Sequence, residues 1–139
     1  LAQEKGVTLI QKSQSTVDEK EENAGEGLML TGSDILIYRM LYNLIENAIN
    51  YGINGGCVWI NLIKNQKNTD IIIKDNGIGI EKEHLDKIWN RFYRVDKSRS
   101  AGEGFGLGLS MVRFIVDIHG GSIAVKSKPG YGTTFTVSL

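Results

Sequence analysis

The stretch Gly102-Glu103-Gly104-Phe105-Gly106-Leu107-Gly108-Leu109-Ser110-Met111-Val112 sets four glycines at alternate positions directly before an apolar, helix-compatible run. Glycine permits positive φ and lets another group approach the main chain closely. A helix start leaves unpaired N–H groups and a partial positive charge, so a glycine loop feeding a helix is a natural anion site. No Gly-Lys-Ser/Thr follows, which excludes a Walker loop. The spacing and the lack of a preceding strand exclude a dinucleotide-binding fingerprint. A plain surface loop before a helix is the competing reading, and the rest of the chain decides between them.

Downstream, the spacing predicts a helix from about 105 to 119, stopped by Gly120-Gly121, and a hairpin of 122–126 and 133–139 turned by Lys128-Pro129-Gly130. Upstream, 93–104 is polar, basic and glycine-bounded and reads as a mobile loop. Residues 81–92 read as a short helix with Ile80, Leu85, Ile88, Trp89 and Phe92 on one side. Runs 57–64 and 69–74 around a polar turn at 65–68 predict a hairpin, followed by the loop Asp75-Asn76-Gly77-Ile78-Gly79. A helix capped by Ser33 or Asp34 runs to about Tyr51, with Ile37, Met40, Leu41, Leu44, Ile45, Ala48 and Ile49 at helical spacing. Residues 7–10 and 27–30 are short strand candidates separated by a polar, acidic loop. Hairpins interleaved with long helices predict an α/β two-layer sandwich, a mixed and mostly antiparallel sheet with about three helices on one face.

The 139 residues are read as one domain, 1–139, long enough to bury a core. Sixteen basic and sixteen acidic residues cancel, which argues against a broad nucleic-acid footprint. Cys57 is a lone cysteine, so an internal disulfide is excluded and a reducing compartment fits. No apolar run reaches membrane-spanning length, so no membrane contact and a cytoplasmic location are expected. The chain begins with Leu1, consistent with a piece of a longer protein.

Asn43, Asn47 and Asn50 lie at i, i+4 and i+7, one stripe of a helix at roughly 100° per residue. Asparagine is a mediocre helix former, because its side chain competes for backbone hydrogen bonds. A solvated face is one explanation; a row of amides lining a cleft is the other, and amide oxygens suit Mg²⁺. Asp75, beside Gly77 and Gly79, can accept from an exocyclic amine while the glycines admit a flat ring and Ile78 and Ile80 wall it. Arg91, Arg94, Lys97 and Arg99 place cations where a loop can fold over phosphates.

In order, Asn-x-x-x-Asn-x-x-x-Tyr (43–51), Asp-x-Gly-x-Gly (75–79), Arg-Phe-Tyr-Arg (91–94) and Gly-x-Gly-Leu-Gly-Leu (104–109) resemble the N, G1, F and G2 boxes of sensor histidine kinases. His119-Gly120-Gly121 and the final Gly130–Phe135 hairpin also look like that family, so the resemblance covers nearly the whole chain. It implies the Bergerat-type ATP-binding fold shared with DNA gyrase, with ATP and Mg²⁺ as ligands. By position, Asn47 would ligate Mg²⁺ and Asn43 would contact the phosphate and metal region. Asp75 would read the adenine amino group, with Gly77, Gly79, Ile80 and Thr133 around the base and Tyr51 near adenine or ribose. Arg94, Lys97 and the stretch Gly104, Phe105, Gly106, Leu107, Gly108 and Leu109 would hold phosphates, with Leu107 closing the pocket; the catalytic set would be Asn43, Asn47 and Arg94.

The resemblance also implies transfer of the γ-phosphoryl group to a histidine on a separate dimerisation domain, and a response-regulator receiver domain as partner. The fragment would be monomeric and its membrane-anchored parent a homodimer. In related hydrolases the position of Asn43 is a glutamate that activates water; an amide cannot take a proton at neutral pH, and Glu46 points about 60° away on the helix. Asn50 stands where the family has a basic residue, Phe105 replaces a small hydroxyl residue, and the lid is short. A non-catalytic nucleotide-sensing module and a gyrase-like hydrolase are the alternatives. Neither His84 nor His119 lies in an acceptor motif, so His84 is expected on the surface of the short helix and His119 at a helix end.

Overall fold

Strand pairing starts from two local hairpins. The computed structural model describes residues 2–15, 30–95 and 107–139. β2 (Cys57–Lys64) and β3 (Thr69–Asp75) pair antiparallel, Val58 opposite Asp75 and Lys64 opposite Thr69. Asn65 closes their turn, its N–H donating to the Asn68 carbonyl at 2.8 Å and its side-chain amide to Asp70 at 3.2 Å. β4 (Ser122–Lys128) and β5 (Gly132–Ser138) form the second hairpin, and β5 lies antiparallel to β3. β1 (Thr8–Ser15) adds parallel to β2, giving among the described residues one five-stranded sheet in the order β1-β2-β3-β5-β4.

Side chains alternate across a strand, so one face of the sheet carries Val58, Ile71, Ile73, Phe135 and Val137, all buried. Against that face pack Met40, Leu44 and Ala48 of α2 (Asp34–Asn50) and Val112, Ile115 and Val116 of α3 (Gly108–Ile118). Each fully buried Val, Leu, Ile, Phe or Met side chain in this set contributes about 1.5–3 kcal/mol. Ser33 caps α2, its Oγ accepting from the Leu36 N–H. The far end of α2 is capped from a distance: Lys5, in the one-turn helix α1 (Ala2–Lys5), donates from Nζ to the Asn50 carbonyl at 2.7 Å. A cation at a helix C-terminus satisfies orphan carbonyls and complements the helix dipole.

α2 and α3 run antiparallel, joined at one end by His119. Its Nε2 accepts from the Ser33 N–H at 3.1 Å and its Nδ1 donates to the Ile115 carbonyl at 2.7 Å. A backbone amide only donates and a carbonyl only accepts, so the pair assigns the proton to Nδ1. The expected helix-end position of His119 is thus observed, with a role as the bolt between the helices.

Several local expectations are corrected. Residues 81–92 form a 3₁₀ turn, Lys82–His84, and further tight turns. Their amides bond mostly three residues back, as in Lys87 N–H to His84 O, Asn90 N–H to Lys87 O and Tyr93 N–H to Asn90 O. Successive residues Ile88 and Trp89 both face the core, Trp89 meeting Phe135 edge-on at 5.9 Å, and tight turns meet that demand where a regular helix would splay one outward. Phe92 does not share their buried side: it is 71% exposed and has φ +63°, a left-handed conformation rare for a bulky residue. β1 is eight residues, longer than the expected 7–10, because it acquires a parallel partner; Leu30 is not in a strand, and 27–29 lie outside the described residues. α3 begins at Gly108, and Phe105 and Gly106 also lie outside them.

Candidate functional site

Asp75 ends β3 on the buried face of the sheet and is 4% exposed. Its Oδ1 accepts from the Gly77 N–H at 2.8 Å and from the Thr133 N–H at 3.3 Å. Burial raises its pKa above the ordinary 3.8, and these two backbone donors pull it partly back down. Both bonds use one oxygen; among the described residues none is made to Oδ2. A buried carboxylate with one oxygen anchored and the other uncommitted is suited to receive a donor from a ligand.

The loop after Asp75 is pressed onto the end of α2. A Cβ on Gly77 would lie 2.1 Å from the Tyr51 carbonyl, and that carbonyl accepts from the Ile78 N–H at 3.1 Å. Gly79 has φ +74°, and a Cβ there would meet the Lys128 carbonyl at 2.3 Å. Both glycines are therefore demanded by close approach. Ile80 is half-buried and its N–H donates to Ser127 Oγ at 2.8 Å, whereas Ile78 is 46% exposed.

Asn43, Asn47, Asn50 and Tyr51 are half-buried on α2. Among the described residues the side-chain amides of Asn43 and Asn47 have no hydrogen-bond partner. Asn43 lies against the start of α3: a Cβ on Gly108 would sit in ordinary contact, 3.5 Å, with its Oδ1. The amide stripe and the end of the glycine stretch thus meet, although 65 residues separate Asn43 from Gly108. Leu107 precedes α3, is 40% exposed, and its carbonyl accepts from Ser110 Oγ at 2.9 Å; Leu109 packs on the core. The opposite face of α2 lines a 320 Å³ groove of Tyr38, Leu41, Tyr42, Ile45, Glu46 and Ile49, which is almost wholly apolar and unsuited to phosphates. Glu46 there pairs with the Tyr42 hydroxyl rather than with Asn43.

Arg94 is half-buried and follows Tyr93, whose hydroxyl bonds His84 Nδ1. His84 is therefore tied to the Arg-Phe-Tyr-Arg segment rather than being a plain surface residue. Lys97, Gly104, Phe105, Gly106 and most of the expected lid at 93–104 lie outside the described residues. Among the described residues no group of three His, Cys, Asp or Glu could hold a metal ion. The amide oxygen of Asn47 is a donor of the type that suits Mg²⁺ held jointly with phosphate. Sequence reading missed Ser127, Lys5 and Asn76, the last accepting the Cys57 N–H at 2.8 Å. Ser127 carried a usable signal, as the polar member of the inward row Ile123, Val125, Ser127.

The family model for histidine kinase-, DNA gyrase B- and HSP90-like ATPases matches residues 32–139. The chain belongs to that family. It is 42% identical over 118 residues to the sensor-like histidine kinase SenX3 of Mycolicibacterium smegmatis, covering 84% of this chain and 31% of the relative. It is 45% identical over 102 residues to the sensor protein SrrB of Staphylococcus aureus, covering 73% of this chain and 18% of the relative. The chain thus spans less than a third of the length of these curated relatives. Its fold matches the mycobacterial sensor histidine kinase MprB, with a TM-score of 0.77 at 22% identity over 99% of this chain and 85% of that one. It also matches full-length ShkA in complex with AMPPNP, with a TM-score of 0.79 at 21% identity over 99% of this chain and 26% of that one. The expected mixed sheet with helices on one face is thus the histidine kinase ATPase fold. No helix among the described residues is long and apolar enough to cross a membrane.

Proposed function

We propose that residues 1–139 act as one catalytic domain that binds Mg-ATP and delivers its γ-phosphoryl group to a histidine on a helical dimerisation domain of the same parent. The buried Asp75 with its uncommitted Oδ2 is the observation that carries this reading. Oδ2 accepts the adenine amino group, with Gly77, Gly79, Ile80 and Thr133 around the ring and Tyr51 beside adenine or ribose. Asn43, Asn50, Arg94, Lys97 and the main chain from Gly104 to Leu109 hold the phosphates, with Leu107 over them. Mg²⁺, held through Asn47, supplies neutralisation of phosphate charge. Asn43, Asn47 and Arg94 form the catalytic set, acting by positioning and electrostatics rather than covalent chemistry.

In the transfer, the acceptor imidazole nitrogen forms a bond to the γ-phosphorus while the bond to the β,γ-bridging oxygen breaks, and ADP leaves with that oxygen. Asn43 offers no base for water, and Glu46 is engaged with Tyr42, which supports transfer over hydrolysis. The partners of this reading are the dimerisation domain and a receiver domain, with a monomeric fragment, a homodimeric membrane-anchored parent and a cytoplasmic site of action. Calorimetry should detect Mg²⁺-dependent ATP binding by this chain. Radiolabelled ATP should label an added acceptor domain of the same parent but leave the chain itself unlabelled. Phosphate on His84 or His119, or affinity indifferent to Mg²⁺, would sink the reading; the latter would favour a non-catalytic nucleotide-sensing module.

A further inference from the structure

At the Asp75 end of the sheet a row of side chains crosses three strands on the buried face. Asp75 is on β3, Thr133 is the second residue of β5, and Ser127 pairs with Thr133 from β4. Thr133 is 6% exposed, and its N–H reaches the same Asp75 oxygen that Gly77 uses. Ser127 Oγ makes three hydrogen bonds: to the Ile80 N–H at 2.8 Å, the Gly132 carbonyl at 3.0 Å and Thr133 Oγ1 at 2.8 Å.

A hydroxyl has one proton and two lone pairs. The Ile80 amide can only donate, so it occupies one lone pair of Ser127. The Gly132 carbonyl can only accept, so it takes the single Ser127 proton. The remaining contact closes in one way: the Thr133 hydroxyl donates to the second lone pair of Ser127. Thr133 has then spent its proton, and its Oγ1 keeps only lone pairs for a further partner, on a residue whose own N–H bonds Asp75 Oδ1. Ionised Oδ2 of Asp75 likewise only accepts. Two such acceptors on residues joined through Asp75 Oδ1 match an amine, which carries two protons, and disfavour a carbonyl oxygen.

We infer that Ser127 is a positioning residue for base specificity, locking Thr133 as an acceptor so that the site selects 6-aminopurine nucleotides over 6-oxopurine ones. This rests on the nucleotide reading above and names a determinant that lies one residue behind the ligand. A polar site built for one hydrogen-bonding pattern discriminates because the wrong partner leaves buried groups unpaired. Without the Ser127 hydroxyl, Thr133 regains a free proton and can turn it toward a 6-oxo group.

Calorimetric titration of this chain with Mg-ATP and Mg-inosine triphosphate tests it. The unaltered chain should prefer ATP. Ser127→Ala should narrow that preference by about 3- to 10-fold, the value of one hydrogen bond, while Ser127→Thr, which keeps the hydroxyl, should restore it. Thr133→Val supplies the sign independently: loss of an acceptor weakens ATP more than inosine triphosphate, whereas loss of a donor would do the reverse. An unchanged ratio in a folded Ser127→Ala chain overturns the inference, as does a Thr133→Val chain whose inosine triphosphate binding falls as much as its ATP binding. Should Ser127→Ala not fold, the Thr133→Val result decides alone. If the unaltered chain binds neither nucleotide, the failure lies with the nucleotide reading itself.

Discussion

Asp75→Asn separates the binding function proposed for this carboxylate from a structural one. The side chains are nearly isosteric, and the carbonyl oxygen of the amide can keep both backbone bonds now made by Oδ1, from Gly77 and Thr133. Those two N–H groups also dictate orientation, since turning the amide would set NH₂ against two donors. The NH₂ must therefore replace Oδ2 and face the exocyclic amine of the base. A hydrogen bond to a charged acceptor contributes about 1.5–3 kcal/mol, and a buried donor left facing a donor costs about 1–3 kcal/mol more. The sum is about 2.5–6 kcal/mol, at least roughly fiftyfold in Kd.

The stability of the unliganded protein should move the other way. Burial raises the folded pKa of Asp75 above its unfolded 3.8, so between those two values the folded state binds more protons. Ionised Asp75 thus lowers stability at neutral pH, and that penalty fades as pH falls through the raised pKa. Asp75→Asn removes the penalty, so at pH 7 it should match or exceed the unaltered chain in thermal stability, with the difference shrinking in acid. Nucleotide affinity of the unaltered chain should fall over the same acid window, as Oδ2 gains a proton. Calorimetry and thermal denaturation across pH read both effects. ATP affinity within threefold of the unaltered chain would refute the assignment, and a loss of stability above about 2 kcal/mol would show the carboxylate to be structural instead.

Gly77→Ala drives a Cβ to 2.1 Å from the Tyr51 carbonyl, so it should lower thermal stability and weaken nucleotide binding together, measurable by melting with and without ATP. Phe92→Gly should hold or raise stability, by up to about 1 kcal/mol, because it relieves a left-handed conformation and sacrifices little buried area. His119→Ala loses the bond to Ser33 and should cost about 1–2 kcal/mol in denaturant unfolding, with ATP affinity measured on the folded protein unchanged. Lys5→Met removes the cap on α2 and should cost roughly 0.5–1.5 kcal/mol, more at low than at high salt.

Much of this protein is written in local pattern. Ser33 and the 3.6-residue spacing of Met40, Leu44 and Ala48 determine α2, because capping and periodicity act within a few residues. The polar turn at 65–68 and Pro129-Gly130 determine the two hairpins for the same reason. The ordered boxes named the family, since each keeps its chemistry within a few consecutive residues. Other features depend on partners that no local window contains. β1 extends to Ser15 because β2 lies beside it, and residues 81–92 coil into tight turns because Ile88 and Trp89 must reach one core together. Asn43 meets Gly108 only through the antiparallel packing of α2 and α3 that His119 fastens. The sequence by itself determined the residue types of the proposed nucleotide site, Asp75, Thr133 and the amides of α2. Only the tertiary structure decided which atoms of those residues remain uncommitted. A hydroxyl proton or a carboxylate oxygen is assigned by neighbours brought from other strands, as Ser127 of β4 does for Thr133 of β5.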